Sequence, residues 1–350
     1  MSKEINLDGK KIGEDYPAFI IAEVSANHLQ SFDKAVEIIK AAKKAGADAV
    51  KLQTYTPDTI TLDCDNEYFQ ITQGTIWDGT TLHKLYQEAY TPWEWQPKLK
   101  QIAEEEGLIC FSSPFDYTSV DFLEEMNVPA YKIASFEITD IPLIEYVASK
   151  GKPIIMSTGI ATLGDIEEAL ATCKRMGNQQ VALLKCTSAY PSPLEDINLR
   201  VIPNMKDTFG TIVGLSDHSL EHTVAVGAVA LGAKIIEKHM TLNRAEGGPD
   251  AAFSMEPDEF KEMVDSIRAL EKALGQVTYE LTDKQKNSKE HARSLFVVKD
   301  IKKGESFTKD HVKSIRPGFG LATKYIGKVI GKRARYDIKK GTPVDWSLIE

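Results

Sequence analysis

Two histidines near the ends of two successive apolar runs are the residues of this sequence best suited to chemistry. The runs read Ile212-Val-Gly-Leu-Ser-Asp-His218 and Ile235-Ile-Glu-Lys-His239. Neutral imidazole is a common ligand of catalytic transition metals, and two imidazoles leave coordination positions for water and substrate. One such histidine alone is more often an ordinary rim or core residue, but the pair on neighbouring strands predicts an open metal site. Nitrogen and oxygen donors suit Mn²⁺, Co²⁺, Mg²⁺ or Zn²⁺.

Lysines and hydroxyl-bearing residues occupy the ends of the other apolar runs. Because side chains alternate along a strand, Lys51 shares a face with Gln53, and Ser216 shares a face with His218. A lysine that faces a closed apolar interior is costly unless it binds an anion, whose other oxygens then accept from nearby hydroxyl groups. Lys51 and Lys132 therefore predict a site for phosphate or carboxylate.

Alternatives remain open for several of these charged residues. The lysines could instead face outward or pair with neighbouring glutamates. This alternative is stronger for Lys185 and Lys238, because their place in the alternation could put them outside the barrel. Asp217, which precedes His218, could support the metal site or simply face a helix.

Eight short apolar runs alternate with helical patterns, and this order predicts a parallel (β/α)8 barrel. The runs begin at Phe19, Ala49, Leu108, Ala130, Pro153, Val181, Ile212 and Lys234. In residues 33–45 apolar side chains recur at helical spacing, and Gly46 follows as the expected C-cap. An open doubly wound sheet is the rival fold, and it is disfavoured because no glycine-rich dinucleotide motif follows the first run.

Residues 56–91 form an unusually long connection between the second run and its helix. The segment is rich in apolar residues: Tyr68, Phe69, Ile71, Ile76, Trp77, Leu82, Leu85 and Tyr86. Because it leaves the carboxyl end of a strand, we expect it to lie over the active-site face as a lid or substrate wall. The alternative is a packed excursion that only stabilises the barrel.

The last part of the chain predicts a second, β-type domain. We expect a barrel over residues 1–280, a linker over 281–290 and the second domain over 291–350. Within it, Lys299-Asp-Ile-Lys-Lys-Gly304 returns as Tyr336-Asp-Ile-Lys-Lys-Gly341. From residue 281 onward 17 Lys and Arg stand against 8 Asp and Glu, whereas the preceding residues hold 25 against 43. This asymmetry predicts a basic domain that docks on an acidic one, its own or a partner's.

The composition excludes several classes of protein. A hydrophobic content of 42% and a charged content of 27% are ordinary for a soluble globular protein. No apolar run approaches the roughly 18 residues that a membrane span needs, and no secretory signal is recognisable at the start. The acidic body argues against nucleic-acid binding. Four cysteines without paired spacing suit a reducing compartment, so we expect a cytoplasmic protein with neither membrane nor nucleic acid as partner.

In combination, the strand-end motifs resemble the sialic acid synthase family over nearly the whole chain. They include Ile-Ala-Glu23-Val-Ser-Ala-Asn27-His28, Val-Lys51-Leu-Gln53-Thr, Phe-Ser-Ser113-Pro-Phe115, Tyr-Lys132-Ile-Ala-Ser135-Phe-Glu137, Gly-Leu-Ser216-Asp-His218-Ser and Glu-Lys-His239. The tail resembles the family's antifreeze-like (SAF) domain, a β-clip. The resemblance thus implies an α/β protein in which a TIM barrel precedes a small SAF domain.

The resemblance also implies an activity, because this family condenses phosphoenolpyruvate with an N-acetylated sugar aldehyde. The residues implied to bind phosphoenolpyruvate are Lys51, Ser113, Lys132, Ser135, Ser157, Ser188 and Ser216. Those implied to bind the sugar are Gln53, Tyr190, Asp250 and Arg316, and those implied to be catalytic are Glu23, Glu137, His218 and His239. The two histidines would hold a divalent Mn, Co or Mg ion. Arg316 would enter the site of the other subunit of a domain-swapped homodimer.

Two features distinguish this chain within the family. The neuraminate-forming branch usually has Asn where this chain has Ser188. The aromatic segment around Trp77, Trp93 and Trp95 resembles the branch that forms pseudaminic acid, which implies 6-deoxy-2,4-diacetamido-altrose as the sugar. The alternatives are a neuraminate or legionaminate synthase and, in another class, a non-catalytic carbohydrate-binding protein.

Overall fold

The computed structural model describes residues 1–72 and 74–350, which divide into two compact units, Met1–Gly275 and Gln276–Glu350. The first unit begins with a hairpin of β1 (Glu4–Leu7) and β2 (Lys10–Gly13). Within the described residues, no helix is long and apolar enough to cross a membrane.

A closed barrel of eight parallel strands forms the body of the first unit, so the predicted (β/α)8 barrel is confirmed and the open sheet is excluded. Its strands are β3 (Phe19–Glu23), β4 (Ala49–Thr54), β5 (Ile109–Pro114), β6 (Tyr131–Ile133), β7 (Ile154–Ser157), β8 (Val181–Cys186), β9 (Ile212–Asp217) and β10 (Ile235–His239). Sequential strands are neighbours, and β10 closes the ring against β3. The strands and the helices around them share one apolar core.

The helices of this unit follow the predicted alternation with the strands. They are α1 (Phe32–Ala45), α2 (Pro57–Ile60), α3 (Leu82–Ala89), α4 (Gln96–Glu105), α5 (Tyr117–Glu125), α6 (Ile141–Ser149), α7 (Leu163–Arg175), α8 (Leu194–Ile197), α9 (Val201–Phe209), α10 (Thr223–Ala230) and α11 (Pro257–Leu274). In α1, the Ser31 side chain accepts from the backbone N–H of Lys34, and Gly46 ends the helix with a φ of 91°. The C-cap predicted at Gly46 is therefore confirmed.

The long connection after β4 is partly helical, because α2 and α3 both lie in it. Between them, the backbone N–H of Ile71 donates to the carbonyl of Thr80, and Gln70 pairs with Thr81. The indole of Trp77 donates to the carbonyl of Pro249 at 2.7 Å, which ties this segment to the loop after β10. The segment is thus a folded excursion over the carboxyl ends of the strands.

The second unit contains α12 (Asp283–Ser288), the antiparallel pair β11 (Ser294–Val297) and β12 (Val312–Ile315), and α13 (Ile326–Val329). Its two sequence repeats pair with each other, because Ile301 and Ile338 exchange two backbone hydrogen bonds of 2.9 and 2.8 Å. An ion pair flanks this contact in each copy. Lys302 Nζ lies 3.0 Å from Asp337 Oδ2, and Lys339 Nζ lies 2.9 Å from Asp300 Oδ2. The repeat is therefore a pseudo-twofold motif around a separate apolar core.

Candidate active site

Four buried charged side chains, Glu23, Lys51, Lys132 and Glu237, form what we call the charge cluster inside the barrel. Lys51 Nζ contacts Glu23 Oε2 and lies 3.6 Å from Glu237 Oε2, while Lys132 Nζ lies 3.8 Å from Glu237 Oε1. Glu23 is the register partner of Lys51 on β4 and of His239 on β10, which brings these strand ends together. Both lysines therefore face inward as predicted, and the pairing with glutamates that was considered as an alternative is present as well.

The charges of this cluster shift one another's protonation. Burial raises the pKa of Glu23 to about 7 although Lys51 opposes it, so this carboxyl exchanges its proton near neutral pH. Burial would lower the pKa of Lys51, but the carboxylates of Glu23 and Glu237 outweigh burial and raise it. Burial lowers the pKa of Lys132, against the attraction of Glu237. Burial also disfavours ionised Glu237, yet Lys132 and Lys51 bring its pKa below the usual value.

Hydroxyl groups complete the surroundings of the cluster. Lys51 Nζ donates to Ser113 Oγ at 3.3 Å, and Lys132 Nζ donates to Ser157 Oγ at 2.7 Å. Ser216 Oγ donates to Glu237 Oε1 at 2.9 Å. The cluster is consequently a polar floor that can exchange its internal contacts for those of an anion.

Beside this floor, three loops that follow strand ends approach one another closely. Ser188 Oγ donates to Ser135 Oγ at 2.9 Å, and Gly159 leaves the space that both serines need. A Cβ atom at Gly159 would meet Ser188 Oγ at 2.0 Å and Ser135 Cβ at 2.8 Å. Only a residue without a side chain fits here, so we call Ser135, Gly159 and Ser188 the serine cradle.

The two predicted histidines face each other, with ring centroids 5.2 Å apart. Burial lowers the pKa of His218 to about 4 and that of His239 well below its usual value, so both rings are neutral at pH 7. His218 Nδ1 lies 3.3 Å from the carbonyl oxygen of Thr187, which assigns the ring proton to Nδ1. The lone pair of Nε2 is then available to bind a metal. His239 Nδ1 is buried and has no hydrogen-bond partner in the described chain.

This donor set fits a divalent metal in an open site. Two neutral imidazoles offer nitrogen ligands, and the unpartnered Nδ1 of His239 lies 3.9 Å from Asp250 Oδ2. Across residues 1–72 and 74–350, no group of three or more His, Cys, Asp or Glu side chains is arranged to hold a metal ion. Water and substrate would therefore have to supply the remaining ligands.

A cavity of about 480 Å³ opens above the floor at the carboxyl ends of the strands. The predicted site residues that line it are Lys51, Gln53, Lys132, Ser135, Glu137, Ser157, Tyr190, Ser216, His218, His239 and Asp250. Its apolar wall includes Tyr55, Ile71, Trp77, Leu85, Tyr86, Phe115 and Phe253. Four of these wall residues come from the 56–91 segment, so that segment forms part of the wall as predicted.

Polar groups suited to a sugar stand on the other side of this cavity. Gln53 Nε2 donates to Ser25 Oγ at 3.1 Å, and Ser25 Oγ donates to Asp250 Oδ2. Burial raises the pKa of Asp250, while the hydrogen bond from Ser25 opposes this. The ring of Tyr190 lies 4.4 Å from that of His218. These groups offer both hydrogen-bond acceptors and a stacking surface.

Glu137 stands at the rim of the same cavity. Burial raises its pKa to about 7, although Lys132 opposes the shift. Its Oε2 atom is buried and has no hydrogen-bond partner among the described residues. Near neutral pH this carboxyl can therefore donate or accept a proton.

Several charged residues lie away from this cavity. Lys238 is fully buried and pairs with Asp217 at 2.7 Å, so both belong to the outer face of their strands. Lys185 Nζ donates to the carbonyl of Cys186 at 2.6 Å and also faces outward. The alternative reading of Lys185 and Lys238 is thus the right one, and Asp217 does not support the metal site. Arg316 is an exposed residue of the second unit.

The cavity residues that were not predicted as site residues include Cys186, Glu237 and Phe253. Glu237 had a clear signal, because it stands two positions before His239 and must share its face. Cys186 resembles any small buried residue. Phe253 follows the loop after β10, and its ring lies 4.9 Å from that of His239. Nothing in its local sequence indicates that contact.

Comparisons with known proteins agree with this architecture. A family model described as the NeuB family matches residues 38–279, and one described as the SAF domain matches residues 292–350. The chain is 48% identical to a pseudaminic acid synthase of Campylobacter jejuni, over 93% of this chain and 95% of that protein. It is 45% identical to a pseudaminic acid synthase of Helicobacter pylori, over 95% and 98% respectively. The crystal structure of an N-acetylneuraminic acid synthetase from Leptospira borgpetersenii, in complex with citrate, has a TM-score of 0.73 at 33% identity, and the match covers 82% of this chain and 95% of that one.

Proposed function

The chain belongs to the NeuB family, and we propose that it is a pseudaminic acid synthase, a transferase that joins phosphoenolpyruvate to 6-deoxy-2,4-diacetamido-altrose. One observation carries the proposal: Lys51 and Lys132 lie in a single cavity with a neutral histidine pair and an aromatic wall. The lysines suit the two anionic groups of phosphoenolpyruvate, and the wall suits a 6-deoxy, di-N-acetylated sugar. The chain is 48% and 45% identical to the two pseudaminic acid synthases but 33% identical to the N-acetylneuraminic acid synthetase. This difference in sequence identity favours the pseudaminic acid branch.

The proposed reaction forms one carbon–carbon bond and breaks one carbon–oxygen bond. C3 of the enol attacks the aldehyde carbon of the open-chain sugar, and the aldehyde oxygen gains a proton. Water then adds to the cationic C2 and loses a proton. Phosphate leaves with cleavage of its bond to C2, so phosphoenolpyruvate, sugar and water give the nonulosonic acid and inorganic phosphate.

The floor of the cavity would hold phosphoenolpyruvate. Lys51 and Lys132 would supply positive charge, while Ser113, Ser157 and Ser216 would donate to the remaining oxygens, together with the serine cradle. Glu23 supports this assignment, because a carboxyl with a pKa of about 7 can take a proton when the anion binds. The floor then gains net positive charge without moving a lysine.

The histidine pair would hold the divalent ion, for which we propose Mn²⁺, Co²⁺ or Mg²⁺. A metal bound there supplies Lewis-acid polarisation of the sugar aldehyde. His218 and His239 would keep their nitrogen lone pairs available because burial keeps both rings neutral. The buried, unpartnered Nδ1 of His239 supports this assignment.

Glu137 would move protons in the reaction, because its pKa of about 7 allows both directions of transfer at neutral pH. It would give a proton to the developing alkoxide and later accept one from the attacking water. The apolar wall limits the access of other water molecules, so the attacking water is the one that reaches the cationic carbon.

The sugar would be oriented by Gln53, Tyr190 and Asp250 from the barrel and by Arg316 from the other subunit of a domain-swapped homodimer. The exposed position of Arg316 leaves its guanidinium free to reach another molecule. A cytoplasmic location belongs to the same proposal, and the four unpaired cysteines support it.

Phosphate release tests the proposed activity. The protein is supplied with phosphoenolpyruvate, Mn²⁺ and each of several acetamido sugars, and phosphate is measured over time. We expect release with 6-deoxy-2,4-diacetamido-altrose, and at most weak release with N-acetylmannosamine. A preference for N-acetylmannosamine would refute the branch, while no release with any sugar would favour the non-catalytic carbohydrate-binding protein. Lys132→Met serves as the inactive control.

Mixing two inactive variants tests the role of the second unit. Lys132→Met inactivates the site in the barrel, and Arg316→Ala removes the guanidinium group that the second unit would supply. If Arg316 acts across subunits, a mixed dimer contains one site with both residues intact, so activity appears on mixing. Activity that stays at the level of the separate variants would contradict the domain-swapped dimer.

A further inference from the structure

Ser25, just after the first barrel strand, combines two properties that are unusual for a serine. Its φ is +44°, a left-handed conformation that residues with a Cβ seldom adopt, and its side chain is buried. Such strain persists only where the surroundings hold it, and it is concentrated at functional sites. A glycine would adopt this conformation without strain, so the serine side chain itself requires an explanation.

The side-chain contacts of Ser25 lead toward the sugar side of the cavity. Its hydroxyl donates to Asp250 Oδ2, and it accepts a hydrogen bond of 3.1 Å from Gln53 Nε2. Its backbone N–H donates to Glu23 Oε1 at 3.2 Å. Ser25 therefore joins the first barrel strand to β4 and to the loop after β10 through a single side chain.

The single proton of the Ser25 hydroxyl fixes which atoms of this hydrogen-bond network donate and which accept. The Ser25 hydroxyl has one proton, and it donates this proton to Asp250 Oδ2. Toward Gln53 the Ser25 oxygen can then only accept, and Gln53 must present its NH₂ group. This orientation leaves Gln53 Oε1 and Asp250 Oδ1 as hydrogen-bond acceptors. Neither atom has a hydrogen-bond partner in residues 1–72 or 74–350, and both side chains line the cavity.

We propose that Ser25 is a positioning residue that sets sugar specificity, because it holds Gln53 and Asp250 as a pair of acceptors for N–H and O–H donors of the substrate. The acetamido N–H groups and hydroxyls of an open-chain amino sugar are such donors. A ligand that offers acceptors at the same places would leave the pair unsatisfied. This inference rests on the proposed function, since it concerns the sugar of that reaction.

Two substitutions separate the hydroxyl from the backbone conformation. Ser25→Gly removes the hydroxyl and relieves the strained φ, while Ser25→Ala removes the hydroxyl and keeps the Cβ. For both we expect kcat/KM for the preferred sugar to fall by about 10–100-fold, with KM for phosphoenolpyruvate within about twofold of the parent value. The preference for the diacetamido sugar over N-acetylmannosamine should fall by about tenfold, which a merely structural role would not produce.

Asn127→Gly is the matched control, because Asn127 also has a positive φ, of 51°, but is exposed and remote from the cavity. It should leave both kinetic constants and the sugar preference unchanged. If Ser25→Ala does not fold, the kinetic constants and sugar preference of Ser25→Gly alone test the proposal.

The inference is overturned if Ser25→Gly keeps the parent's sugar preference and a kcat/KM within twofold, or if KM for phosphoenolpyruvate rises as much as KM for the sugar. The unsubstituted protein is assayed in parallel with the sugar panel. Absence of phosphate release from that protein would refute the proposed function, and the inference with it. Release by the parent and by Ser25→Gly alike would refute the inference only.

Discussion

The space left by Gly159 gives a sharp prediction about phosphoenolpyruvate binding. Gly159→Ala would place a Cβ atom 2.0 Å from Ser188 Oγ and 2.8 Å from Ser135 Cβ. Carbon atoms in contact normally lie about 3.5–4.0 Å apart, so these loops must separate by roughly 1 Å. The Ser188 hydroxyl could rotate away, but only by breaking its 2.9 Å hydrogen bond to Ser135, and Ser135 Cβ cannot rotate.

The expected magnitude follows from two effects. Overpacking of this kind costs about 1–3 kcal/mol of unfolding free energy. Displacing one hydroxyl that bonds a charged phosphate costs about 1.5–3 kcal/mol of binding free energy. The dissociation constant of phosphoenolpyruvate should therefore rise by roughly 10–150-fold. Gln53 and Asp250 lie outside these loops, whereas Tyr190 follows Ser188 in the loop after β8. KM for the sugar should therefore rise less than the dissociation constant of phosphoenolpyruvate.

Titration calorimetry with phosphoenolpyruvate measures the affinity, and urea unfolding measures the stability. Gly164→Ala is the control, because its Cβ atom would lie 3.9 Å from Thr162 Oγ1, at an ordinary contact distance. Gly164 lies in α7, where alanine is favoured over glycine, so this variant should bind normally and be no less stable. If Gly159→Ala binds phosphoenolpyruvate within twofold of the parent, the serine cradle does not contribute to anion binding.

Three further predictions concern buried charges. Lys238→Met leaves the buried Asp217 without its counter-charge and should lower the unfolding free energy by about 3–5 kcal/mol, whereas adding Asp217→Leu should restore more than half of that loss. A loss below about 1 kcal/mol in urea unfolding would contradict this. Glu137 has a folded pKa of about 7 against an ordinary 4.5, so the folded protein holds this proton more tightly and loses stability as pH rises between these values. Glu137→Gln should therefore be stabilised relative to the parent by at most about 3 kcal/mol at pH 8 and by almost nothing at pH 4, and an equal difference at both pH values would contradict the shift. His218→Ala and His239→Ala should each lose Mn²⁺ binding in calorimetry while keeping the parent's circular dichroism spectrum, and an affinity within threefold of the parent would contradict the paired site.

Much of the barrel was predictable because its patterns are local. Each strand is a short apolar run, and each helix shows its own periodicity and caps, as α1 does with Ser31 and Gly46. The alternation along β4 also placed Lys51 and Gln53 on one face. The same rule applied to β10, with His239 predicted as a metal ligand, places Glu237 inside and Lys238 outside, so the sequence contained the signal for Glu237.

The contacts between distant segments were not predictable. Ser25, Gln53 and Asp250 meet although Asp250 is far along the chain, because the loop after β10 folds back over β3 and β4. Trp77 fixes that loop through the carbonyl of Pro249, a contact that no local pattern encodes. Such contacts depend on loop conformations, which local propensities determine only weakly.

The sequence by itself determined the barrel, the second domain and the set of charged, hydroxyl and imidazole groups at the strand ends, because periodicity and residue chemistry are local properties. Only the tertiary structure decided which partners these groups have. Lys51 contacts Glu23 and Glu237 inside the barrel, whereas Lys238 forms an ion pair with Asp217 outside it. The physical reason is that the electrostatic energy of a buried charge depends on neighbours a few ångströms away in space, which closure of the barrel alone brings together.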